Sequence, residues 1–278
     1  MAEVRTTVQQ PRRGTFPNGM EYLTWGDGPR TLLSIPGGPG SFLPTGAMAR
    51  MVVGQSRPYV AAGYAVWVVT RRRGMPPGHG VADMADDYAQ VVAEHLGGQV
   101  DVVVGESYDG LVAQHLAARH PGRLGRLVLV VSGCEVSEWG KDVDTRLATA
   151  LARGDATAAG TAFAEYLLPG SAMRWPRRLL GPLVGRALFA EELCPPGDVL
   201  TELRAETSFD SRSVLPTVTV PVLVVSGSRD RFFPPAVVEE TAALVPDCRV
   251  VRYEGKGHLG TGSDKRVARD VLAFAGGT

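Results

Sequence analysis

A serine, an aspartate and a histidine each follow a separate apolar run of the sequence. Ser107 comes after VDVVVG within GESYDG, Asp230 after VPVLVVSG, and His258 after CRVVRY. A serine hydroxyl becomes a nucleophile when a histidine accepts its proton and a carboxylate orients that histidine. The chain order serine, aspartate, histidine is one that hydrolytic sites use. We therefore predict a catalytic triad of Ser107, His258 and Asp230.

Ser107 lies on a predicted turn between a strand and a helix, in VDVVVGESYDGLVAQHL. A nucleophile on such a turn has a strained backbone, so the residues two before and two after it are usually small. Gly105 meets that requirement, whereas Asp109 does not. The alternative is that Ser107 caps the helix, since serine is a favoured N-cap residue. Its position directly after a buried strand favours the nucleophile.

The other two residues also have structural alternatives. Asp230 could cap a turn, and His258 could be an ordinary loop histidine. The carboxyl ends of parallel strands meet at one edge of a sheet, where such folds place their sites. All three residues follow strand-like runs, which favours the triad. If Asp230 were dispensable, Glu135 would be the first acid available after the run at 126–131.

The segment LLSIPGGPGSF could supply backbone donors for a negatively charged oxygen. Gly37 and Gly38 follow the apolar run 31–35, and Pro39 stiffens the loop. Amide groups in such a loop can approach a substrate closely and stabilise charge that develops on it. We predict that the amides of Gly38 and Tyr108 form an oxyanion hole and that Gly37 borders the substrate. A plain turn of proline and glycine is the alternative.

Six apolar runs alternate with helical patterns along most of the chain. Their continuous apolarity marks strands that are buried on both faces, so a mainly parallel sheet with flanking helices is expected. An Asn-Gly pair near the N-terminus predicts a hairpin and an antiparallel edge. The fold class is therefore α/β. The six runs are 31–35, 65–69, 100–105, 126–131, 220–227 and 248–253.

Residues 135–213 interrupt this alternation, because they contain helical patterns and no convincing strand. We predict a helical cap at 135–213, inserted in a core of 1–134 and 214–278. The cap has more large apolar residues than a surface connection needs, and ligand pockets are mostly apolar. A subset should cover the substrate, although packing among cap helices is the alternative. The residues assigned to substrate binding are Trp139, Phe163, Trp175 and Phe189.

The charge balance and the cysteines limit the partners and the compartment. The 29 Lys and Arg residues match the 29 Asp and Glu residues, so no net field attracts nucleic acid or an acidic membrane surface. Cys134, Cys194 and Cys248 form neither a metal motif nor an even disulfide set. No signal peptide or spanning run is apparent. We expect a cytoplasmic protein with a small-molecule substrate, no metal and no cofactor. Its oligomeric state is unknown from the sequence.

Four of these segments together resemble the α/β-hydrolase fold over nearly the whole chain. PGGPG resembles the HGGPG loop of the proline iminopeptidase-like branch, GESYDG its nucleophile turn, SGSRDRFFPP its acid turn and GKGHLG its histidine loop. TRRRG resembles the D-x-R-G turn of that branch without its aspartate. The resemblance implies an eight-stranded, mainly parallel sheet with a cap, and a carboxylesterase or aminopeptidase-like activity. Pro36 and Asp109 depart from the family pattern.

The resemblance also implies roles for two acidic residues. GESY is similar to the turn of serine carboxypeptidases, whose glutamate helps to bind a terminal carboxylate, so Glu106 is assigned to substrate binding. The carboxylate of Asp109 would oppose an oxyanion nearby. We therefore expect it to be turned away and neutralised by Arg73, which matches the turn arginine of the family.

The leading functional hypothesis is a serine hydrolase that cleaves an ester, thioester or amide of a small, largely apolar molecule through an acyl-enzyme. A carbon–carbon bond hydrolase or lyase could use the same triad, because a fold does not decide its chemistry. A non-catalytic ligand receptor of the same fold is a third hypothesis. The presence of all three triad residues argues against the receptor.

Overall fold

The computed structural model describes residues 11–38, 40, 42–189 and 195–276. Eight strands in these residues form one sheet. In chain order they are β1 (Arg12–Thr15), β2 (Met20–Trp25), β3 (Arg30–Ile35), β4 (Tyr64–Arg72), β5 (Val100–Glu106), β6 (Leu124–Val130), β7 (Val222–Gly227) and β8 (Cys248–Tyr253). Each of the six predicted runs coincides with a strand to within a few residues.

The sheet order is β1-β2-β4-β3-β5-β6-β7-β8. β1 and β2 form the antiparallel edge, and β2 is antiparallel to β4. All pairs among the strands β3 to β8 are parallel. Gly19 has a φ of 85° in the hairpin turn, a conformation that glycine adopts without steric cost. The predicted fold class is therefore confirmed.

Helices cover both faces of the sheet, and alternate residues of each strand pack against them. In β5, Val103 belongs to one apolar cluster, and Val102 and Val104 belong to the cluster on the other face. This double burial explains why the strands are apolar without alternation. The core helices are α1 (Gly46–Gln55), α2 (Arg57–Ala61), α3 (Val81–His95), α4 (Tyr108–Arg119), α9 (Pro235–Leu244), α10 (His258–Gly262) and α11 (Arg266–Gly276).

A helical segment lies between β6 and β7, and no strand interrupts it in the described part of 135–213. Its helices are α5 (Glu138–Ala152), α6 (Ala156–Leu167), α7 (Arg174–Leu188) and α8 (Pro196–Thr207). They enclose an apolar cluster of their own, which includes Leu147 and Leu203. Within the described chain, no helix combines the length and the apolarity needed to cross a membrane.

The two central helices of this segment pack very closely. A Cβ atom added to Gly160 of α6 would overlap the carbonyl oxygen of Gly181 and lie 2.8 Å from the Cα atom of Gly185 in α7. The contact face of α7 is therefore its glycine face, and its larger apolar side chains face outwards. Trp175 and Leu179 are 67% and 80% exposed.

Candidate active site

Ser107, His258 and Asp230 form one chain of polar contacts at the carboxyl edge of the sheet. The Oγ atom of Ser107 lies 2.8 Å from Nε2 of His258, and Nδ1 of His258 lies 2.8 Å from Oδ2 of Asp230. The three residues follow β5, β8 and β7, so the parallel sheet brings them together across 151 positions of sequence. This is the geometry that a serine nucleophile, a base and an orienting acid require.

The backbone at Ser107 is in the left-handed region, with a φ of 52°. Ser107 occupies the N-cap position of α4, but its side chain makes no capping hydrogen bond. A Cβ atom on Gly105 would lie 2.6 Å from Cβ of Ala113, and one on Gly110 would overlap Ser132. The turn is therefore tight at positions 105 and 110. A small residue is not required at position 109, where this chain has Asp109.

Asp230 is fully satisfied as an acceptor. Its Oδ1 accepts the backbone N–H groups of Phe232 at 2.9 Å and of Phe233 at 3.2 Å, while Oδ2 faces His258. The imidazole lies beside the rings of Phe232 and Phe233, with centroid distances of 5.0 Å and 6.0 Å. Glu135, the alternative acid, instead pairs with Arg212 at 2.5 Å.

The glycine loop after β3 touches the serine turn. A Cβ atom on Gly37 would overlap the carbonyl oxygen of Glu106 and lie 2.8 Å from Cβ of Ser107, so only glycine allows this approach. Gly38 has a φ of 100°. Neither the amide of Gly38 nor that of Tyr108 donates a hydrogen bond within the described chain. Pro39 lies outside the described residues.

A buried arginine fixes this loop, and the sequence did not indicate it. Arg71 of β4 donates to the carbonyl oxygen of Gly38 at 2.7 Å and to Oε1 of Glu202 at 2.9 Å. Oε2 of Glu202 accepts the amide of Gly40 at 2.5 Å. Glu202 belongs to α8, so the helical segment helps to hold the glycine loop. No local sequence pattern links Arg71 to Glu202, because 131 residues separate them.

The expectation that Arg73 neutralises Asp109 is wrong. Asp109 forms a buried ion pair with Arg71, which lies within β4 and points into the core. β4 ends at Arg72, and Arg73 beyond it pairs with Glu21 of β2 at 3.0 Å. Burial raises the pKa of Asp109 to about 7 against the opposing attraction of Arg71.

An aromatic cleft adjoins His258. Its volume is about 200 Å³. Phe232 packs edge-on against Trp139 and Tyr166, with centroid distances of 4.9 Å and 4.6 Å. Residues on its wall and rim include Trp139, Tyr166, Leu167, Arg229, Arg231 and Phe232. Of the four cap residues assigned to substrate binding, Trp139 is the one that borders this cleft.

The other assigned residues lie elsewhere. Phe163 packs on Phe189 at 5.7 Å inside the helical segment, where both fill its apolar cluster. Trp175 is exposed on the outer face of α7, because the glycines of that helix take the inner face. Glu106 borders a different cavity, on the face of the sheet that α1, α2 and α11 cover.

Two buried acids lie in the helical segment close to the cleft. Asp144 of α5 accepts the hydroxyl of Tyr166, and its other oxygen has no partner within the described chain. Burial raises the pKa of Asp144 to about 7. Burial, and then the charge of Asp144, raises the pKa of Glu206 in α8 well above its ordinary value. Both groups therefore bind protons more tightly than exposed carboxyls.

The remaining polar residues of interest have structural partners. His79 lies 2.8 Å from Asp87 and His120 lies 2.6 Å from Asp86. Among the described residues, no group of three or more His, Cys, Asp or Glu side chains could hold a metal ion. Burial raises the pKa of the Cys134 thiol, and Cys194 lies outside the described residues.

The family model of the α/β hydrolase fold matches residues 50–261. The chain therefore belongs to the α/β-hydrolase family and is a hydrolase. The match supports the family as a whole, not the proline iminopeptidase-like branch specifically.

Curated relatives have names of this class, and a solved structure shares the fold. The chain is 28% identical over 212 residues to a pimeloyl-[acyl-carrier protein] methyl ester esterase of Aromatoleum aromaticum, covering 72% of this chain and 83% of the relative. A protein of the same name from Neisseria meningitidis serogroup C is 30% identical over 190 residues, covering 66% and 73%. A hydrolase from Pseudomonas aeruginosa superposes with a TM-score of 0.74 at 21% identity, covering 97% and 99%.

Proposed function

We propose that the protein is a serine carboxylesterase that cleaves an ester of a small, largely apolar acyl group through an acyl-enzyme. The observation that carries this proposal is the contact chain from Ser107 through His258 to Asp230, with two separations of 2.8 Å. The curated relatives are esterases by name, and we carry over to this chain only the ester bond and the acyl group.

The geometry supports a stepwise reaction. The hydroxyl of Ser107 attacks the ester carbonyl while Nε2 of His258 takes its proton, and Asp230 holds the Nδ1–H group and stabilises the imidazolium. The amides of Gly38 and Tyr108 donate to the oxyanion. His258 then gives its proton to the leaving alcohol, and an acyl group remains on Ser107. His258 then takes a proton from a water molecule, which attacks the acyl-enzyme, and the acid product leaves with Ser107 restored.

The helical segment acts in this proposal as a cap with two tasks. Through Glu202 and Arg71 it helps to hold the oxyanion loop, since Arg71 donates to the carbonyl oxygen of Gly38. Through Trp139 and Tyr166 it supplies apolar surface beside His258. A cleft of about 200 Å³ with aromatic walls suits a short or medium acyl chain better than a peptide.

A panel of p-nitrophenyl esters tests this function against the alternatives. We expect turnover of acetyl, butyryl and octanoyl esters, a much slower rate on matched anilides, and none on diketones. Ser107→Ala should lower kcat by about 10⁶-fold, because a triad acts as a unit and only binding and oxyanion stabilisation remain. Undiminished ester turnover by Ser107→Ala, or cleavage of diketones in preference to esters, would contradict the proposal.

A further inference from the structure

A second cavity, of about 510 Å³, lies against the face of the sheet that α1, α2 and α11 cover. Pro36 and Glu106 line it, and these residues directly precede Gly37 and Ser107. Ser107 and His258 do not border it. The cavity therefore lies behind the serine turn and is distinct from the aromatic cleft beside His258.

Its walls are mostly apolar. Four adjacent strands form one wall, and α1, α2 and α11 form the opposite one. The volume is within the range of small-molecule sites, which is 300–1,000 Å³ in general. The main apolar contributors are Leu32, Val66, Val104, Val130, Val52 and Val267.

Glu106 contributes a carboxyl group to the lining of this cavity. Its side chain is exposed along this lining, and desolvation by the surrounding protein raises the pKa of its carboxyl. No hydrogen bond or ion pair to this carboxyl is present in the described chain. A Cβ atom on Gly262 would overlap Oε1 of Glu106, so the glycine leaves room for the carboxyl.

The other charged groups on the lining are differently placed. Asp264 is neutralised by Arg266 at 2.8 Å and by Lys256 at 3.4 Å. Lys265 is exposed at the rim. Tyr59 also lines the cavity, and burial, followed by the negative charge of Glu106, raises the pKa of its phenol. Glu106 is thus the acid of the lining that has no ion pair among the described residues, and neutral polar groups come from Tyr59, Ser34, Gln55, Ser56 and Ser263.

We infer that this cavity binds an amphipathic amine, whose ammonium group contacts the carboxylate of Glu106 and whose aliphatic or aromatic body lies along the valines. A carboxylate beside apolar walls loses part of its hydration, and an ammonium partner offsets that cost. The apolar body removes valine surface from water, which adds about 25 cal/mol per Å². An anionic amphiphile would meet the same carboxylate without compensation.

Calorimetric titration of Ser107→Ala tests this inference without turnover. Octylammonium should bind at one site per chain, whereas octanoate should bind at least about tenfold more weakly. Glu106→Gln in the same background should lower the affinity for octylammonium about tenfold, because the ion pair is lost while the side chain keeps its shape. An unchanged thermal unfolding temperature will show that the Gln variant is folded.

Two methionines of α1 provide a matched pair of variants. Met51 lines the cavity and Met48 does not, although their exposures are similar at 55% and 48%. Met51→Lys should lower the affinity for octylammonium about three- to tenfold, because two positive charges then repel each other at the mouth of the cavity. Met48→Lys should leave this affinity within about twofold of the original value.

Three results would overturn the inference. They are no binding at millimolar octylammonium, octanoate that competes with octylammonium at equal affinity, and binding that neither Glu106→Gln nor Met51→Lys weakens. None of them bears on ester turnover, so the proposed function and this site are tested separately.

Discussion

The carboxyl edge of the sheet and the helical segment are held together by different means. At the sheet edge, the chain packs closely against the backbone of a neighbouring segment at Gly37, Gly105 and Gly227. An added Cβ atom at any of these glycines would overlap or crowd a neighbour. Each partner of the contact chain is also fixed by hydrogen bonds, as with the three donors to Asp230. In the helical segment, α6 and α7 meet through glycines, and Trp175 and Leu179 are left exposed.

The buried acids show the same contrast. Asp109 in the core has Arg71 as a partner, and Arg71 also binds Glu202. Asp144 in the helical segment has the hydroxyl of Tyr166 but no cation among the described residues. The core therefore uses its buried charges to fix a loop of the site, whereas the helical segment contains a buried carboxyl without an ion pair. We expect substitutions in the core to affect chemistry and those in the segment to affect selectivity.

The largest effects are expected in the contact chain itself. His258→Ala should lower kcat on p-nitrophenyl butyrate by about 10⁵–10⁶-fold, and Asp230→Asn by about 10⁴-fold, because the imidazole then adopts a poorer tautomer. Glu135→Gln is the matched control, and its kcat should stay within about twofold of the wild-type value. Near-normal kcat for Asp230→Asn would show that another acid orients His258.

The glycine loop should come next. Gly37→Ala should lower kcat about 100-fold, because the methyl group pushes the loop away from the serine turn and misplaces an oxyanion donor. Gly122→Ala adds the same methyl group where no atom lies within 4 Å and should leave kcat unchanged. Equal activity of the two variants would show that the contact at Gly37 is not needed for catalysis.

The two buried acids should respond to pH in the same sense. A carboxyl whose pKa is raised to about 7 contributes stability at low pH that is lost as pH rises from about 4 through 7. Asp144→Asn lacks this loss, so chemical denaturation should show it gaining about 1–3 kcal/mol on the wild type between pH 5 and pH 8. The pKa of Asp109 is also raised to about 7, so Asp109→Asn should gain on the wild type in the same direction over this pH range.

An exposed acid of α5 is the control for this pair. Asp142 forms a surface pair with Arg146 at 2.9 Å, and Asp142→Asn should change stability by less than about 0.5 kcal/mol at both pH values. A loss of stability by Asp144→Asn at pH 8 would contradict the assignment of a buried carboxyl without a cation.

The smallest effects concern the two tryptophans. Trp139 packs against Phe232 in the cleft, so Trp139→Gln should raise KM for butyryl esters about fivefold through lost apolar contact. Trp175→Gln should leave KM and kcat within about twofold, since that ring is 67% exposed. The reverse order of effects would mean that the substrate lies along α7.

The strands and the meeting of the three site residues could be predicted from the sequence, because apolarity and topology determine them. Buried strands are recognisable by their continuous apolar residues, and the shared edge of a parallel sheet brings Ser107, Asp230 and His258 together whatever their distance in sequence. The outward face of Trp175 could not be predicted, because close packing at Gly160 and Gly181 selects it. The partners Arg71 and Glu202 could not be predicted either, since their contact depends on how α8 packs near β4.

Covalent labelling by a fluorophosphonate, mapped by peptide mass spectrometry, is the most direct test of the nucleophile. We expect one label per chain, carried on the peptide that contains Ser107, absent from Ser107→Ala and formed much more slowly in His258→Ala. A label on a different residue, or continued ester hydrolysis by protein whose Ser107 stays unmodified at saturating reagent, would contradict the triad.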